Sequence, residues 1–162
     1  MNKIENSNIL VTGGAGFIGS YVVELLLEHQ PKQIRIIDNY IRGSKANMVN
    51  FISDERVEIV EGDIRNTELL EQQIKGCDYI FHMAALRINS CAANPKEGFE
   101  VMLQSTFNLA DLAVKHSIKK VIYSSSASVY GLAQHFPTPE TDNPYNNQTF
   151  YGAAKMFGEQ LF

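Results

Sequence analysis

The sequence predicts an α/β fold, a single domain over residues 1–162 with helices on both faces of a doubly wound parallel sheet. Three observations carry this. Short apolar runs alternate with longer amphipathic stretches in a βαβαβ rhythm. The first run leads directly into a glycine-rich turn that opens a helix. The runs at 8–12 and 119–124 are nearly continuous, as strands covered on both faces are. A chain of 162 residues is long enough to bury roughly 70% of its unfolded surface, so a full core is available to it.

In chain order, strands are expected at NILVT (8–12), QIRIID (33–38), RVEIVEG (56–62), CDYIFHMAA (77–85) and KKVIYSSS (119–126). FIGSYVVELLLEHQ (17–30) places apolar residues at i, i+3, i+4 and i+7 and reads as a helix. TELLEQQIKG (67–76) reads as a helix opened by a Thr cap and closed by Gly. PKEGFEVMLQSTFNLADLAVKHS (95–117) is the longest helical stretch, with Phe99, Met102, Leu103, Phe107 and Leu109 expected in the core. GLAQHFPTPETDNPYNNQ (131–148) contains three prolines and reads as a loop. Loops of that length inside compact domains are mostly functional. The final stretch, TFYGAAKMFGEQLF (149–162), reads as a helix carrying Tyr151 and Lys155 four residues apart, on one face.

Charge and composition narrow the partners. The net charge of −4 argues against nucleic acid and anionic membranes. The two cysteines, Cys77 and Cys91, are too few for a disulfide framework. No His/Cys/carboxylate cluster suggests a metal. The apolar stretch after MNKIENSN is too short to span a bilayer and lacks a signal-peptide layout. A cytoplasmic location is expected.

The turn VTGGAGFIGS contains Gly14-x-Gly16-x-x-Gly19 and, overlapping it, Gly13-x-x-Gly16-x-x-Gly19. Such glycines permit a tight turn, close backbone approach to a pyrophosphate and close packing of helix on strand. The helix start offers N–H groups to the phosphates. Asp38 ends the second strand, where a carboxylate accepts hydrogen bonds from the adenosine ribose and repels a 2′-phosphate. This is a Rossmann-type arrangement and favours NAD over NADP; Arg42 is the nearby residue that could instead receive a 2′-phosphate.

TGGAGFIG, the acid, GDI, HMAA, SSSASVYG and YGAAK form an ordered series that resembles the extended short-chain dehydrogenase/reductases. Within these it is similar to the NAD-dependent epimerase/dehydratase family, and there to the enzymes that epimerise UDP-hexoses. The resemblance implies that Gly13, Gly16 and Gly19, with Phe17 and Ile18, hold the pyrophosphate. It implies that Asp38 and Asn39 hold the ribose, that Asp63 and Ile64 flank the adenine, and that Ala84, Ala85 and Arg87 line the cofactor path. Ser126, Tyr151 and Lys155 become the catalytic group, with Tyr151 and Lys155 also touching cofactor. Tyr151 is then the acid/base for a sugar hydroxyl, with Ser126 bonding the same oxygen. A lysine ammonium beside a phenol favours the phenolate. Ser124 and Ser125 are left as strand-end groups bonding backbone or cofactor, and His82 as a satisfied histidine near the core.

Two positions bear on the reaction. Relatives that dehydrate or decarboxylate the sugar carry carboxylates in the serine turn, where this sequence has Ala127 and Ser128. Elimination needs an added acid and base, so oxidation and re-reduction at C4 of a nucleotide-sugar is expected, with tightly held NAD. Met102 stands where many relatives have an asparagine, and it cannot supply that amide. The resemblance also implies further strands, a YGP-like turn and a C-terminal substrate lobe. The sequence therefore reads as a cofactor half cut after its Tyr-Lys helix, of low activity alone, with KKVIYSS as an open sheet edge. Self-association, as a homodimer, is expected through that edge or the last helices.

Overall fold

The computed structural model describes residues 4–142 and 146–162. Five strands form one parallel sheet in the order β3-β2-β1-β4-β5. They are β1 (Asn8–Thr12), β2 (Gln33–Asp38), β3 (Val57–Glu61), β4 (Tyr79–His82) and β5 (Lys120–Tyr123). Parallel neighbours require crossovers, and helices supply them: α1 (Phe17–Glu28) joins β1 to β2, and α2 (Thr67–Ile74) joins β3 to β4. The order runs outward on both sides of β1, so the Rossmann-type expectation holds. The predicted strands contract at their ends, most of all at the C-terminal ends of β4 and β5, which stop at His82 and Tyr123.

The chain divides into two compact units. The first runs to Ala84 and resumes over Leu109–Ser124. It contains the whole sheet. One cluster of its core is Ile9, Val11, Ala15, Val23, Leu26, Ile34, Ile36, Met48 and Phe51, and Leu10, Ile37, Leu70, Ile74 and Ile80 are also buried. β1 and β2 are almost wholly buried, whereas β5, the last strand in the order, is half-exposed. The expected burial of 119–124 on both faces is thus corrected: a strand with a neighbour on only one side keeps one row of groups uncovered. At the start of α2 the cap is Asn66, whose side chain accepts the Leu69 N–H, and not Thr67. Both are good caps, and Asn66 reaches the orphan donor first. Gly76, just beyond the helix, adopts a left-handed φ of 76°.

The second unit comprises Ala85–Asn108 and Ser125–Phe162. The single long helix expected over 95–117, which passes from the second unit into the first at Leu109, proves to be three pieces: α4 (Pro95–Phe99), a π-turn (Glu100–Gln104) and α5 (Ser105–Lys115). A short α3 (Ile88–Ala93) precedes them. The π-turn breaks the 3.6-residue period on which the expected core face was built. Met102 and Leu109 are buried as expected, but Phe99 and Phe107 are about half-exposed and are not core residues. A 3-10 turn (Ala127–Tyr130) and α6 (Phe150–Leu161) complete the unit. Of the 131–148 loop, residues 143–145 lie outside the described residues. Among the described residues no helix is long and apolar enough to cross a membrane, and no cluster of His, Cys, Asp and Glu could hold a metal.

Candidate active site

In the first unit the chain turns sharply after β1. Gly13 has φ 72°, and a Cβ there would lie 2.7 Å from the Ala84 backbone nitrogen. A Cβ on Gly19 would lie 2.1 Å from the Gly13 carbonyl oxygen. Any larger residue collides with backbone at both positions. Gly16 donates its N–H to the Gly13 carbonyl (3.1 Å) and serves as the N-cap of α1 without a side-chain bond. The first-turn N–H groups of α1 thus have no side-chain cap, and Phe17 and Ile18 stand exposed beside them. The glycines let the turn fold tightly on itself, and the uncapped helix start offers N–H groups that suit a pyrophosphate.

Asp38 ends β2 and is 8% exposed. Its Oδ2 accepts the Ala15 N–H and its Oδ1 the Tyr40 N–H, each at 2.9 Å. The acid expected to meet a ribose therefore also ties the glycine turn to the end of β2. An ionised carboxylate offers about four lone-pair sites, so acceptor capacity remains for ribose hydroxyls. Asn39 donates from Nδ2 to Asp63 Oδ2 at 3.0 Å. Arg65 hydrogen-bonds both oxygens of Asp63 and holds that carboxyl down at about 2, against the opposing effect of burial. Ile64 is buried beside it in sequence. At the other side of the turn, the Thr12 hydroxyl accepts the Ala84 N–H (3.3 Å) and lies 2.7 Å from His82 Nδ1. His82 is buried and hydrogen-bonded, as expected for a satisfied histidine.

The second unit gathers Ala85, Arg87, Ser126, Tyr151 and Lys155. Ala85 is half-buried, and Arg87 is the exposed N-cap of α3. The N-cap of α6 is Thr149, whose Oγ1 accepts the Gly152 N–H at 3.0 Å. The helix therefore starts just ahead of Tyr151. Lys155 follows one turn later, 2% exposed, its Nζ 5.9 Å from the Tyr151 ring centroid. Burial lowers the lysine to about 8, partly offset by Cys91. The ammonium therefore persists at neutral pH, close to its own titration. Cys91 is buried and its thiol is pushed up by burial, as befits an inert thiol.

The three serines take separate positions. Ser124 donates its backbone N–H to the His82 carbonyl (3.2 Å), extending the β4–β5 ladder. Ser125 donates its hydroxyl to Glu159 on α6. Ser126 accepts the Ser128 N–H at 3.1 Å and caps the 3-10 turn. α6 packs on that turn: a Cβ on Gly152 would lie 2.5 Å from both the Ser128 carbonyl oxygen and Asn147 Oδ1. The two ends of the long loop also meet here, since a Cβ on Gly131, at φ 59°, would lie 2.1 Å from the Asn146 carbonyl oxygen.

Met102 resolves the departure seen in the sequence. It lies in the π-turn, 2% exposed, and its Sδ accepts the Leu86 N–H at 3.2 Å. A sulfur thus supplies an acceptor to the 85–87 segment. Ser105 and Thr106 bond back to the carbonyls of Val101 and Met102, at 2.6 and 2.9 Å. These hydroxyls satisfy carbonyl groups at the π-turn.

The NAD dependent epimerase/dehydratase family model matches residues 9–162. This chain belongs to that family. Its cofactor is NAD, and the glycine turn, the uncapped helix start and Asp38 fit that group. The chain is 34% identical, over 96% of its length and 47% of the relative's, to the bifunctional UDP-glucose 4-epimerase and UDP-xylose 4-epimerase 1 of Pisum sativum. The UDP-N-acetylglucosamine 4-epimerase of Methanobrevibacter ruminantium M1 superposes with a TM-score of 0.88 at 34% identity, covering 96% of this chain and 49% of that one. The dTDP-glucose 4,6-dehydratase DesIV of Streptomyces venezuelae, solved with NAD bound, gives 0.82 at 30% identity, covering 95% and 50%. The family members are thus nucleotide-sugar enzymes of more than one reaction type. The chain spans about half the length of the relatives it matches.

Proposed function

We propose that this chain carries the NAD-binding and acid/base residues of a nucleotide-sugar 4-epimerase acting on a UDP-hexose. The observation that carries the reading is the serine turn. Ser126 caps a turn packed on the helix of Tyr151 and Lys155, and positions 127 and 128 hold Ala and Ser, with no carboxylate to drive an elimination. NAD supplies hydride acceptance and return. Tyr151 takes the proton from the C4 hydroxyl and gives it back. Lys155 accompanies Tyr151 one helical turn on, its Nζ 5.9 Å from the Tyr151 ring centroid, placed to bond the nicotinamide ribose. Ser126 bonds the reacting oxygen. Gly13, Gly16 and Gly19, with Phe17 and Ile18, hold the pyrophosphate; Asp38 and Asn39 hold the ribose; Asp63 and Ile64 flank adenine; Ala84, Ala85 and Arg87 line the remaining path.

The test is a single-turnover incubation of the chain with NAD and UDP-glucose or UDP-galactose. Reduced nicotinamide is expected to form, and Tyr151→Phe is expected to abolish it while keeping the thermal stabilisation by NAD. NADP should stabilise less than NAD. A dehydrated 4-keto sugar as product would instead favour the dehydratase reading. A homodimer belongs to the same proposal, since Phe99, Phe107 and Phe150 are exposed apolar residues on the helices of the second unit. A monomer in sedimentation at high concentration would count against it.

A further inference from the structure

Tyr151, Lys155 and Glu159 recur every four residues on α6 and so occupy one helix face. The proposed chemistry uses the first two. Glu159 is exposed, but its carboxylate is engaged: Oε1 accepts the Ser125 hydroxyl at 2.5 Å. A hydroxyl-to-carboxylate bond is charge-assisted, among the stronger hydrogen bonds a protein makes. Ser125 immediately precedes Ser126, whose Oγ caps the 3-10 turn by accepting the Ser128 N–H and donating to Ser128 Oγ (3.2 Å). That turn rests on the first turn of α6 through the close approach at Gly152. The serine segment therefore meets α6 at two levels. At the N-terminal level the contact is steric, between Gly152 and Ser128. Two turns further on, the contact is the Ser125–Glu159 bond.

We propose that Glu159 is a positioning residue for Ser126, a carboxylate strut that fixes the serine run along the helix face bearing Tyr151 and Lys155. With only the steric contact, the turn is free to pivot about Gly152. The Glu159 bond removes that freedom and sets how far Ser126 stands from the residues one and two turns back. The same face thus carries an acid/base, a cation and a strut in succession. The functional consequence rests on the reading of Ser126 as catalytic; the strut itself does not.

Hydrogen–deuterium exchange on the chain tests it through Glu159→Ala, Glu159→Gln, Ser125→Ala and the Ser125→Ala/Glu159→Ala double variant. Glu159→Ala and Ser125→Ala should each raise amide exchange over 126–130 about tenfold, with α2 unchanged. The double variant should match the singles, because both remove one bond. Glu159→Gln keeps an acceptor and should restore most of the protection. Unchanged exchange over 126–130 in Glu159→Ala overturns the proposal, as does an equal rise in α2 or additivity in the double variant. The proposed epimerase chemistry fails separately, if Tyr151→Phe leaves sugar-dependent NAD reduction intact while the exchange results hold.

Discussion

At Gly19, in the first unit, an added methyl group would sit 2.1 Å from a backbone oxygen; at Lys155, in the second, a charged side chain has been drawn almost wholly out of water. The glycine turn is shaped by exclusion. Its glycines let backbone pack against backbone where nothing larger fits, and Asp38 locks the turn with two backbone N–H bonds. The Tyr-Lys region is shaped by desolvation. Its key group is held at an energetic cost that the surrounding structure offsets. Binding a fixed polyanion asks for a rigid cavity with free N–H groups, whereas moving a proton near neutral pH asks for groups whose titration has been displaced toward it.

The contrast can be broken most severely at Gly19. Gly19→Ala is expected to lower stability by about 3 kcal/mol, the upper range for overpacking against atoms that cannot yield. Gly16→Ala, where the nearest atom is 3.2 Å away, should cost under about 1 kcal/mol yet weaken NAD by about tenfold through lost backbone approach. Urea denaturation and NAD titration of the two variants separate fit from binding; equal stability losses would refute the exclusion account.

Lys155 sharpens the other side. Its pKa falls from 10.5 unfolded to about 8 folded, so between those values the unfolded chain binds more protons and stability rises with pH. Below pH 8 the full penalty applies. Lys155→Met should therefore abolish the rise in stability between pH 8 and 10.5. Denaturation midpoints across that range decide it, and an unchanged rise in the variant would show that another group causes it.

A modest effect is expected at Met102. Met102→Leu keeps the volume and removes the acceptor for the Leu86 N–H, at about 1 kcal/mol. Faster exchange of the Leu86 amide is the signature to look for, and unchanged exchange would mean that the sulfur bond holds nothing.

Much of this was legible in the residues. β1 and β2 begin and end where their apolar runs do, because a buried parallel strand has little freedom in composition. The glycine turn, Asp38 and the Tyr-Lys spacing were legible for a related reason: their chemistry demands particular residue types at fixed offsets. What sequence could not show depends on contacts distant in the chain or on local register. The π-turn is a slip in hydrogen bonding that leaves no periodic mark of its own, so Phe99 and Phe107 were assigned to the wrong face. α3 is too short to display a period. Met102 looked like a lost amide because a thioether is seldom read as an acceptor. The separate tasks of Ser124, Ser125 and Ser126 emerge only when Glu159, thirty-four residues from Ser125, arrives beside one of them. The four-residue step from Lys155 to Glu159 was the available signal.

The junction of Gly131 with Asn146 has a consequence for how such a chain can diversify. The loop is pinched at its base, where Gly131 meets Asn146. Closing a loop of twice the length costs only about 0.6 kcal/mol more. Residues can be gained or lost beyond the pinch while Thr149 still starts α6 in the same place and Tyr151 and Lys155 keep their setting. The glycine at the pinch is then the fixed point, and the segment it closes is where one lineage can vary its surface without renegotiating its chemistry.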